Sequence, residues 1–446
     1  MKFFQICMTA PLVALCLTLV QPSKAAEPLT LAEAEAKAVA ANPRLQAAKL
    51  DAVAAKDRTA ETFGHHFGEL SLVGTYNHFQ RDRLVVPMAR ELFANPALGM
   101  SQIPMDRNQV HYGLTWQIPL LAAGGLHEGD RMARLSQSAT EHLALFTRDQ
   151  TLYNVRAAYR NTLIVNHALK AARAYQKALE KDEADARLKV KIGAMAPVDA
   201  AKITYALRGA EAKVAEFAAQ SETAQSYLAA LLGEELPDGG FELSDIPGEP
   251  AAPAGTSKDN VSSALAGRGD LLATRERTSI VKHKKRLALE AFSPQLVLEA
   301  TYLRNNGPSM EDPRYTRQWA LMVKIPLFNG LSRVHAVQEA DANLLAARQR
   351  EKAKELEIAS QVKDAEGRLD AARALFQAGQ AQRGLGREVA RVERLKLEQG
   401  TGKMEDYLAA RGQELAGETS YWRGLYAYQS AVDYLAFVTA RGENHE

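Results

Sequence analysis

The sequence predicts a mainly α-helical protein, built as a tandem repeat of a helix, a β-hairpin and a long helix, with four strands in each chain. Three observations support this fold class. Two separated motifs recur at one fixed spacing, two runs of 68 residues contain no proline, and four short segments alternate apolar and polar residues. The repeat accounts for a length of 446 residues better than the two or three globular domains usual for that length.

The repeat is visible in the residues themselves. At an offset of 207 residues, five positions of the first copy recur in the second, namely Arg187, Leu188, Lys189, Gly193 and Asp199 as Arg394, Leu395, Lys396, Gly400 and Asp406. The triplet Ile-Pro-Leu at 118–120 recurs at 325–327 with the same offset. Upstream the offset is 226, so 19 extra residues fall between Tyr76 and Ile118. That stretch is rich in proline and glycine, and we interpret 77–110 as a long loop.

These offsets set the predicted domain boundaries. The first copy spans 26–232, a linker rich in proline and glycine spans 233–260, and the second copy spans 261–446. In chain order, the predicted strands and helix tips lie at about 68–79, 110–119, a tip near 193, 294–304, 316–326 and a tip near 400. A helical lead-in precedes the hairpin in each copy.

The N-terminus has the layout of a secretory signal peptide over residues 1–25. Lys2 precedes a short apolar stretch, and small residues before Ala26 predict cleavage after Ala25. Both cysteines would leave with this segment. Two of the 55 basic residues would leave as well, so 53 basic and 53 acidic residues remain, and this balance gives no indication of a nucleic-acid partner. A membrane anchor is the alternative, but the apolar run is short for one.

The long helices follow from composition and spacing. Residues 125–192 and 332–399 contain no proline, and 68 helical residues would form a rod of about 100 Å, longer than any globular core. In the second copy apolar residues recur at alternating steps of four and three, at Ile358, Val362, Ala365, Leu369, Ala372 and Phe376. This spacing predicts a coiled-coil seam.

The four strands alternate so that each presents one apolar face with an aromatic residue near an end. Such alternation also describes a soluble antiparallel sheet. No apolar run of about 18 residues follows the signal, so only strands could span a membrane. Two hairpins cannot close a barrel, and open edges are not viable in lipid, so the strands of several subunits would combine. Tyr76, Trp116, Tyr302 and Trp319 are then candidates for the aromatic girdle of a barrel.

The chain resembles the TolC-type outer membrane efflux protein family over essentially its whole mature length. The residues that carry the resemblance are Trp116-Gln117-Ile118-Pro119-Leu120-Leu121, Gly124-Gly125, Val323-Lys324-Ile325-Pro326-Leu327-Phe328-Asn329-Gly330, Asn42-Pro43-Arg44-Leu45 with its echo Arg268-Gly269-Asp270-Leu271, and the turns at Gly193 and Gly400. The resemblance implies a homotrimer whose strands form one 12-stranded outer-membrane β-barrel above a periplasmic α-helical tunnel. The linker would help to build a mixed equatorial region.

The resemblance also implies a function and partners. The chain would be a passive exit duct in the outer membrane of a Gram-negative bacterium, in contact with outer-membrane lipid. An inner-membrane transporter would deliver the substrates through a periplasmic adaptor, in efflux or type I secretion, so no catalytic residue, cofactor or metal is expected. A soluble periplasmic coiled-coil adaptor or scaffold is the alternative from another class. A hydrolytic or redox enzyme would need a convergent polar constellation, and the sequence shows none.

The helix tips are the segments for which the resemblance implies the most specific roles. The resemblance implies adaptor docking near the tips, where the candidates are Gly193, Met195, Gly400, Gly402 and Lys403. Asp199 and Asp406 begin the returning helices, and the resemblance makes them candidates for the periplasmic aperture. Ala409 stands where some family members carry a second aspartate, so a double acidic ring is in doubt. An aspartate in the first turn of a helix also simply favours the positive end of the helix dipole, by about 0.3–1 kcal/mol.

The histidines do not predict a metal site. His65 and His66 are adjacent and would point apart in an extended segment, and the nearby His78 and His111 have no acidic or cysteine partner at ligand spacing. A solvated or interfacial role is the interpretation that fits them.

Overall fold

The computed structural model of the protein describes residues 28–86, 105–246, 248–251, 255–308 and 314–441. The signal peptide predicted at 1–25 and most of the loop predicted at 77–110 lie outside the described residues. In chain order the elements are α1 (Leu31–Ala41), α2 (Pro43–Gly64), β1 (Glu69–Leu84), β2 (Met105–Ala122), α3 (Gly125–Lys191), α4 (Pro197–Leu232), α5 (Ser257–Gly267), α6 (Gly269–Glu290), β3 (Gln295–Asn306), β4 (Arg314–Lys324), α7 (Ser332–Glu398) and α8 (Met404–Val438).

Each helical lead-in consists of two helices rather than one. In the first copy Asn42 separates α1 from α2, because its backbone is extended and its side chain accepts a hydrogen bond from the Leu45 amide at 3.1 Å. Pro43 follows at the first position of α2, where a missing N–H costs nothing. In the second copy Arg268 makes the same break between α5 and α6.

The four strands form one antiparallel sheet in the order β1-β2-β3-β4. The first hairpin extends beyond its predicted ends, because pairing resumes after a register shift between His78 and Arg83 and continues to Leu84 opposite Met105. β2 also runs past Pro119, where the sequence predicted its end, since a second register shift between Pro119 and Leu121 accommodates the proline. β4 ends at Lys324, two residues before Pro326, which cannot donate to a ladder.

The long helices α3 and α7 each contain 67 residues and are therefore about 100 Å long. The returning helices α4 and α8 contain 36 and 35 residues. The predicted fold class, a tandem repeat of helix, hairpin and long helix with four strands, is confirmed. In the described part of the chain, every helix is too short or too polar to cross a membrane.

The principal core lies where the linker meets the long helices. Tyr159 of α3 is fully buried there, and its hydroxyl donates to the backbone oxygens of Leu29 (2.6 Å) and Ser244 (2.8 Å). Burial raises the pKa of Tyr159 to about 12, so it stays a donor at neutral pH. Leu29 also forms an isolated β-bridge with Leu243. The linker is thereby fixed to both the start of the first copy and the middle of α3.

A second core follows the seam predicted from spacing. Ile358, Val362 and Ala365 of α7 are fully buried and pack against Leu435 and Val438 of α8 and the short helix α5. Farther along α7, Phe376 is buried against α8. The spacing therefore identified the face of α7 that packs inside the protein.

Candidate functional site

Side chains on one face of the sheet are apolar and exposed. Register places them in rows across the four strands, such as Leu70, Trp116, Ala300 and Trp319, and the next row begins with Leu72 and Leu114. Leu72 is 80% exposed and Trp319 is 73% exposed, so no described residue of the protomer covers them. We call this surface the apolar face.

The opposite face is polar. One complete row consists of Ser71, Thr115, Thr301 and Gln318. In the neighbouring row, the Gln117 amide donates to the Glu299 carboxylate at 2.8 Å across β2 and β3. The two faces of the sheet thus have opposite character, as in a wall between lipid and water.

All four girdle candidates lie on the apolar face. Trp116 and Trp319 share a row, Tyr302 lies in the next row, and Tyr76 lies two rows beyond that. The Trp116 indole donates to the Phe67 carbonyl at 3.0 Å, and the Tyr76 hydroxyl donates to Asn108 at 3.0 Å. Aromatic side chains with an apolar ring and one hydrogen-bonded polar atom suit a membrane interface.

The two helix tips have the same geometry. Gly193 and Gly400 adopt the left-handed conformation, with φ of 75° and 76°. The backbone N–H of the next residue in each tip donates to the carbonyl five residues back, Ala194 to Lys189 (2.8 Å) and Thr401 to Lys396 (3.0 Å). This bond satisfies a carbonyl that the helix end leaves open, and the left-handed position favours glycine. The repeat in sequence is therefore a repeat in turn geometry.

The two tips are held together by side chains from both copies. Ala186, Ile203, Met404 and Tyr407 form a buried cluster, and the adaptor-docking candidate Met195 packs against it. The Tyr407 hydroxyl donates to Asp182 of α3 at 2.7 Å. Burial raises the pKa of Tyr407, and the hydrogen bond to the Asp182 carboxylate raises it further, so this donor persists at neutral pH.

An ion-pair bridge lies beside that cluster. Lys202 of α4 contacts Asp199 at 3.1 Å and Glu405 of α8 at 2.9 Å. The hydrogen bond from Lys202 lowers the pKa of Glu405, and the same contact raises the pKa of Lys202. The bridge is therefore present at neutral pH. It is lost as the pH falls through the lowered pKa of Glu405 or rises through the raised pKa of Lys202.

The two aperture candidates differ in environment. Asp199 is paired with Lys202, whereas Asp406 is exposed and forms no ion pair with any residue that the structure describes. Gly400, Gly402 and Lys403 border a groove of about 780 Å³ between the α3–α4 tip and the α7–α8 tip, with Met195 on its other side. Gly193 is exposed at the end of α3. The structure therefore brings Met195, Gly400, Gly402 and Lys403 together around one groove. Asp406 is the tip aspartate without an ion pair to a described residue.

Lys202, Glu405, Tyr407 and Asp182 were not identified from the sequence. Their contacts join residues about 200 positions apart, and neither repeat offset pairs them. Only the position of Lys202, three residues after Asp199 on the same helix, was a local signal.

His66, His78 and His111 each contact a polar or acidic side chain. His66 contacts the Asp130 carboxylate of α3 at 2.8 Å, and the His78 ring contacts Asn108 at 2.7 Å. His111 contacts Asn305 across the sheet at 2.7 Å. In the described ranges, no group of three or more histidine, cysteine or acidic side chains is placed to hold a metal ion.

Comparison with known proteins shows a similarity to one family over the second copy. Residues 260–441, nearly the whole second copy, match the model of the outer membrane efflux protein family. The second copy is therefore similar to this family in sequence. The first copy has the same elements in the same order, although the family model matches only the second. No protein with a curated description matches the sequence.

Solved structures of similar fold cover nearly the whole chain. The CmeC outer membrane channel of Campylobacter jejuni has a TM-score of 0.77 at 15% identity, over 92% of this chain and 86% of that one. The outer membrane protein VceC of Vibrio cholerae has 0.74 at 15%, over 92% and 95%. A membrane protein of Pseudomonas aeruginosa has 0.76 at 19%, over 92% and 93%. At these identities the likeness concerns the fold.

The outer membrane efflux protein family, which the second copy matches, has a defined function. Its members are passive channels of the Gram-negative outer membrane rather than enzymes. They are homotrimers that work with adaptor proteins and inner-membrane transporters.

Proposed function

We propose that three copies of this chain form a channel-tunnel, which serves as the passive exit duct for substrates that an inner-membrane transporter delivers through a periplasmic adaptor. One observation carries the proposal, namely a four-stranded sheet with an exposed apolar face that continues directly into helices about 100 Å long. The apolar face suits lipid and the helices suit a span of the periplasm. Efflux and type I secretion both use such a duct.

The edges of the sheet support a trimer. β1 and β4 are the outer strands, so each protomer presents two rows of backbone groups without ladder partners. Unpaired edges are not viable in lipid, whereas β4 of one copy can pair with β1 of the next. Three copies would close a ring of 12 strands, and the polar face would line its interior.

The groove between the helix tips is the proposed docking site for the adaptor. It has a mixed polar and apolar lining, and Gly400 at its margin has open space at its Cβ position, so another helix could approach the backbone there. A second and more apolar groove of about 540 Å³ lies beside α4, where Tyr205 is 84% exposed and Val198 is 60% exposed. Large apolar side chains left open at a helix tip favour contact with another protein.

The tip carboxylates are the proposed lining of the periplasmic aperture. In a trimer the Asp406 side chains would place three unpaired negative charges around the axis, and Asp199 would add three that Lys202 partly neutralises. A ring of carboxylates favours the passage of cations.

The function is tested on full-length protein extracted from outer membranes in detergent. We expect particles with trimeric mass that appear in the electron microscope as tubes more than about 100 Å long, because α3 and α7 are rods of that length. The same particles should conduct ions when they are reconstituted in a planar bilayer. A soluble monomer that leaves the membrane in a salt wash would contradict the proposal and favour a scaffold protein.

The aperture is tested by comparing Asp406→Asn with Asp199→Asn in the bilayer. Asp406→Asn should lower the ratio of cation to anion permeability by roughly two- to fivefold, because it removes unpaired charges near the conduction path. Asp199→Asn should lower this ratio less, since Lys202 already neutralises part of that charge. Glu211→Gln, far from the tip on α4, is the matched control. If Asp406→Asn behaves like the control, Asp406 does not line the aperture.

A further inference from the structure

Two arginines interrupt the apolar face. Arg304 of β3 pairs in register with Tyr315 of β4, and Tyr302 of β3 pairs with Arg317 of β4. Residues two apart on a strand share a face, so these four side chains form a square in which arginine and tyrosine alternate. We call them the arginine–tyrosine cluster.

The tyrosine rings position the guanidinium groups. The central guanidinium carbon of Arg304 lies 5.8 Å from the centre of the Tyr315 ring, and that of Arg317 lies 5.6 Å from the Tyr302 ring. The two tyrosines stack on each other, with ring centres 5.7 Å apart. A ring face attracts a cation without using its N–H groups, which stay available for an anion.

The positive charges of the cluster have no counter-charge among the residues that the structure describes. Within the described ranges, neither Arg304 nor Arg317 forms an ion pair, and Arg304 Nε is buried without a hydrogen-bond partner. Unpaired arginine is costly on a surface that contacts lipid. A phosphate group would supply the missing charge and accept paired hydrogen bonds from a guanidinium group.

The height of the cluster on the sheet selects the kind of phosphate. From Ile325 at the helix side to Arg317 are eight residues of chain, or about 27 Å along the strand. A strand tilt of about 40° reduces this distance to a height of about 20 Å, close to the apolar band of about 25 Å in outer-membrane barrels. Trp319, Leu321 and Val323, which lie between, are apolar and exposed. The cluster therefore lies at the border of the apolar band that is remote from the helices.

A groove for acyl chains adjoins the cluster. It has a volume of about 290 Å³ and is lined by Leu70, Leu114, Trp116 and Trp319, with Arg317 at its margin. An amphiphile with phosphate beside acyl chains would fill both features at once. Simple inorganic phosphate would use only the arginines.

Resting on the proposed function, which places this border at the outer leaflet, we infer that the arginine–tyrosine cluster binds the phosphate groups of lipid A, the phosphorylated glucosamine lipid of that leaflet. The guanidinium groups of Arg304 and Arg317 hold a phosphate, and the adjoining groove takes an acyl chain. The site belongs to each protomer, so a trimer has three.

The experiment uses delipidated full-length trimer in detergent and native mass spectrometry. Bis-phosphorylated lipid A should bind, and the double variant R304Q/R317Q should bind it at least about tenfold more weakly, since hydrogen bonds to charged groups are lost. Arg314→Gln is the matched control, because Arg314 lies on the same strand but on the polar face. The control should bind lipid A as the unchanged protein does.

Several outcomes would overturn the inference. One is that the double variant binds lipid A as well as the unchanged protein does, and another is that Arg314→Gln loses as much binding as the double variant. A third is that the unchanged trimer binds dephosphorylated lipid A, or inorganic phosphate, as well as it binds bis-phosphorylated lipid A. Loss of the trimer in the double variant would instead show that a carboxylate of the neighbouring subunit pairs with the arginines. The comparison of phosphorylated with dephosphorylated lipid needs no variant, so it stands even where a variant folds poorly. Failure of the proposed function is distinct, because the unchanged protein would then form no tubular trimer.

Discussion

Gly424→Leu is expected to lower the free energy of unfolding by about 3 kcal/mol, because α7 and α8 touch backbone to backbone at this position. A Cβ atom built on Gly424 would lie 2.7 Å from the Phe376 Cα atom. Gly379, opposite on α7, is as tightly placed, with the Ser420 carbonyl oxygen 2.6 Å from its would-be Cβ. A real Cβ atom does not tolerate such distances, so the two helices would have to separate.

The backbones of α7 and α8 come equally close one heptad away. Gly386 on α7 and Gly417 on α8 lie seven residues from Gly379 and Gly424, and they also face the backbone of the partner helix. Seven residues are two helical turns, so the four glycines follow one seam between the antiparallel helices. A bulky residue at any of them would disrupt the seam that joins the tip to the equator.

Matched controls lie on the same two helices. Gly384 and Gly412 have no neighbour within 4 Å of a would-be Cβ atom. Gly384→Ala and Gly412→Ala should therefore raise stability by about 0.5–1 kcal/mol through helix propensity. Thermal unfolding of the detergent-solubilised protein, followed by circular dichroism, measures both classes. If Gly424→Leu proved as stable as the unchanged protein, α7 and α8 would not pack at this distance in the membrane protein.

Arg160→Met is expected to lower the free energy of unfolding by about 3 kcal/mol, because it leaves the largely buried Asp433 with only a longer contact to Arg156, at 4.0 Å. Arg160 of α3 is 6% exposed; its guanidinium pairs with Asp433 of α8 and donates to the Gln429 side chain at 3.2 Å. Gln429 in turn donates to the Gly248 carbonyl at 3.0 Å. The first copy, the second copy and the linker therefore meet at this arginine.

The double variant R160M/D433L tests the reason for the loss. Replacing both charged partners by apolar residues of similar size should restore most of the stability, because no unpaired charge stays buried. Arg208→Met on α4 is the control, since this exposed pair with Glu211 should change stability by less than about 1 kcal/mol. Chemical denaturation of the same detergent-solubilised protein measures all three. A double variant as unstable as Arg160→Met would contradict the ion-pair explanation.

Local patterns were sufficient for the elements of the fold. The offset of 207 residues located both helix tips, because the same six-to-one turn needs glycine at the same position in each copy. The absence of proline set the length of α3 and α7, and the steps of four and three located Ile358 and Val362 in a core. Strand ends were less predictable, since the register shift at Pro119 is set by the partner strand β3.

The features of the candidate site also fall into two groups, those that follow from local sequence and those that depend on the tertiary structure. The sequence by itself determined the repeat, the apolar face with its four aromatic residues and the two tip aspartates, because these follow from periodicity within one segment. Only the tertiary structure decided which tip aspartate is paired, which glycines let α7 and α8 touch, and that Arg304 and Arg317 share a square with two tyrosines. Those facts depend on side chains from distant segments meeting at ångström distances, and no spacing along a single chain encodes that approach.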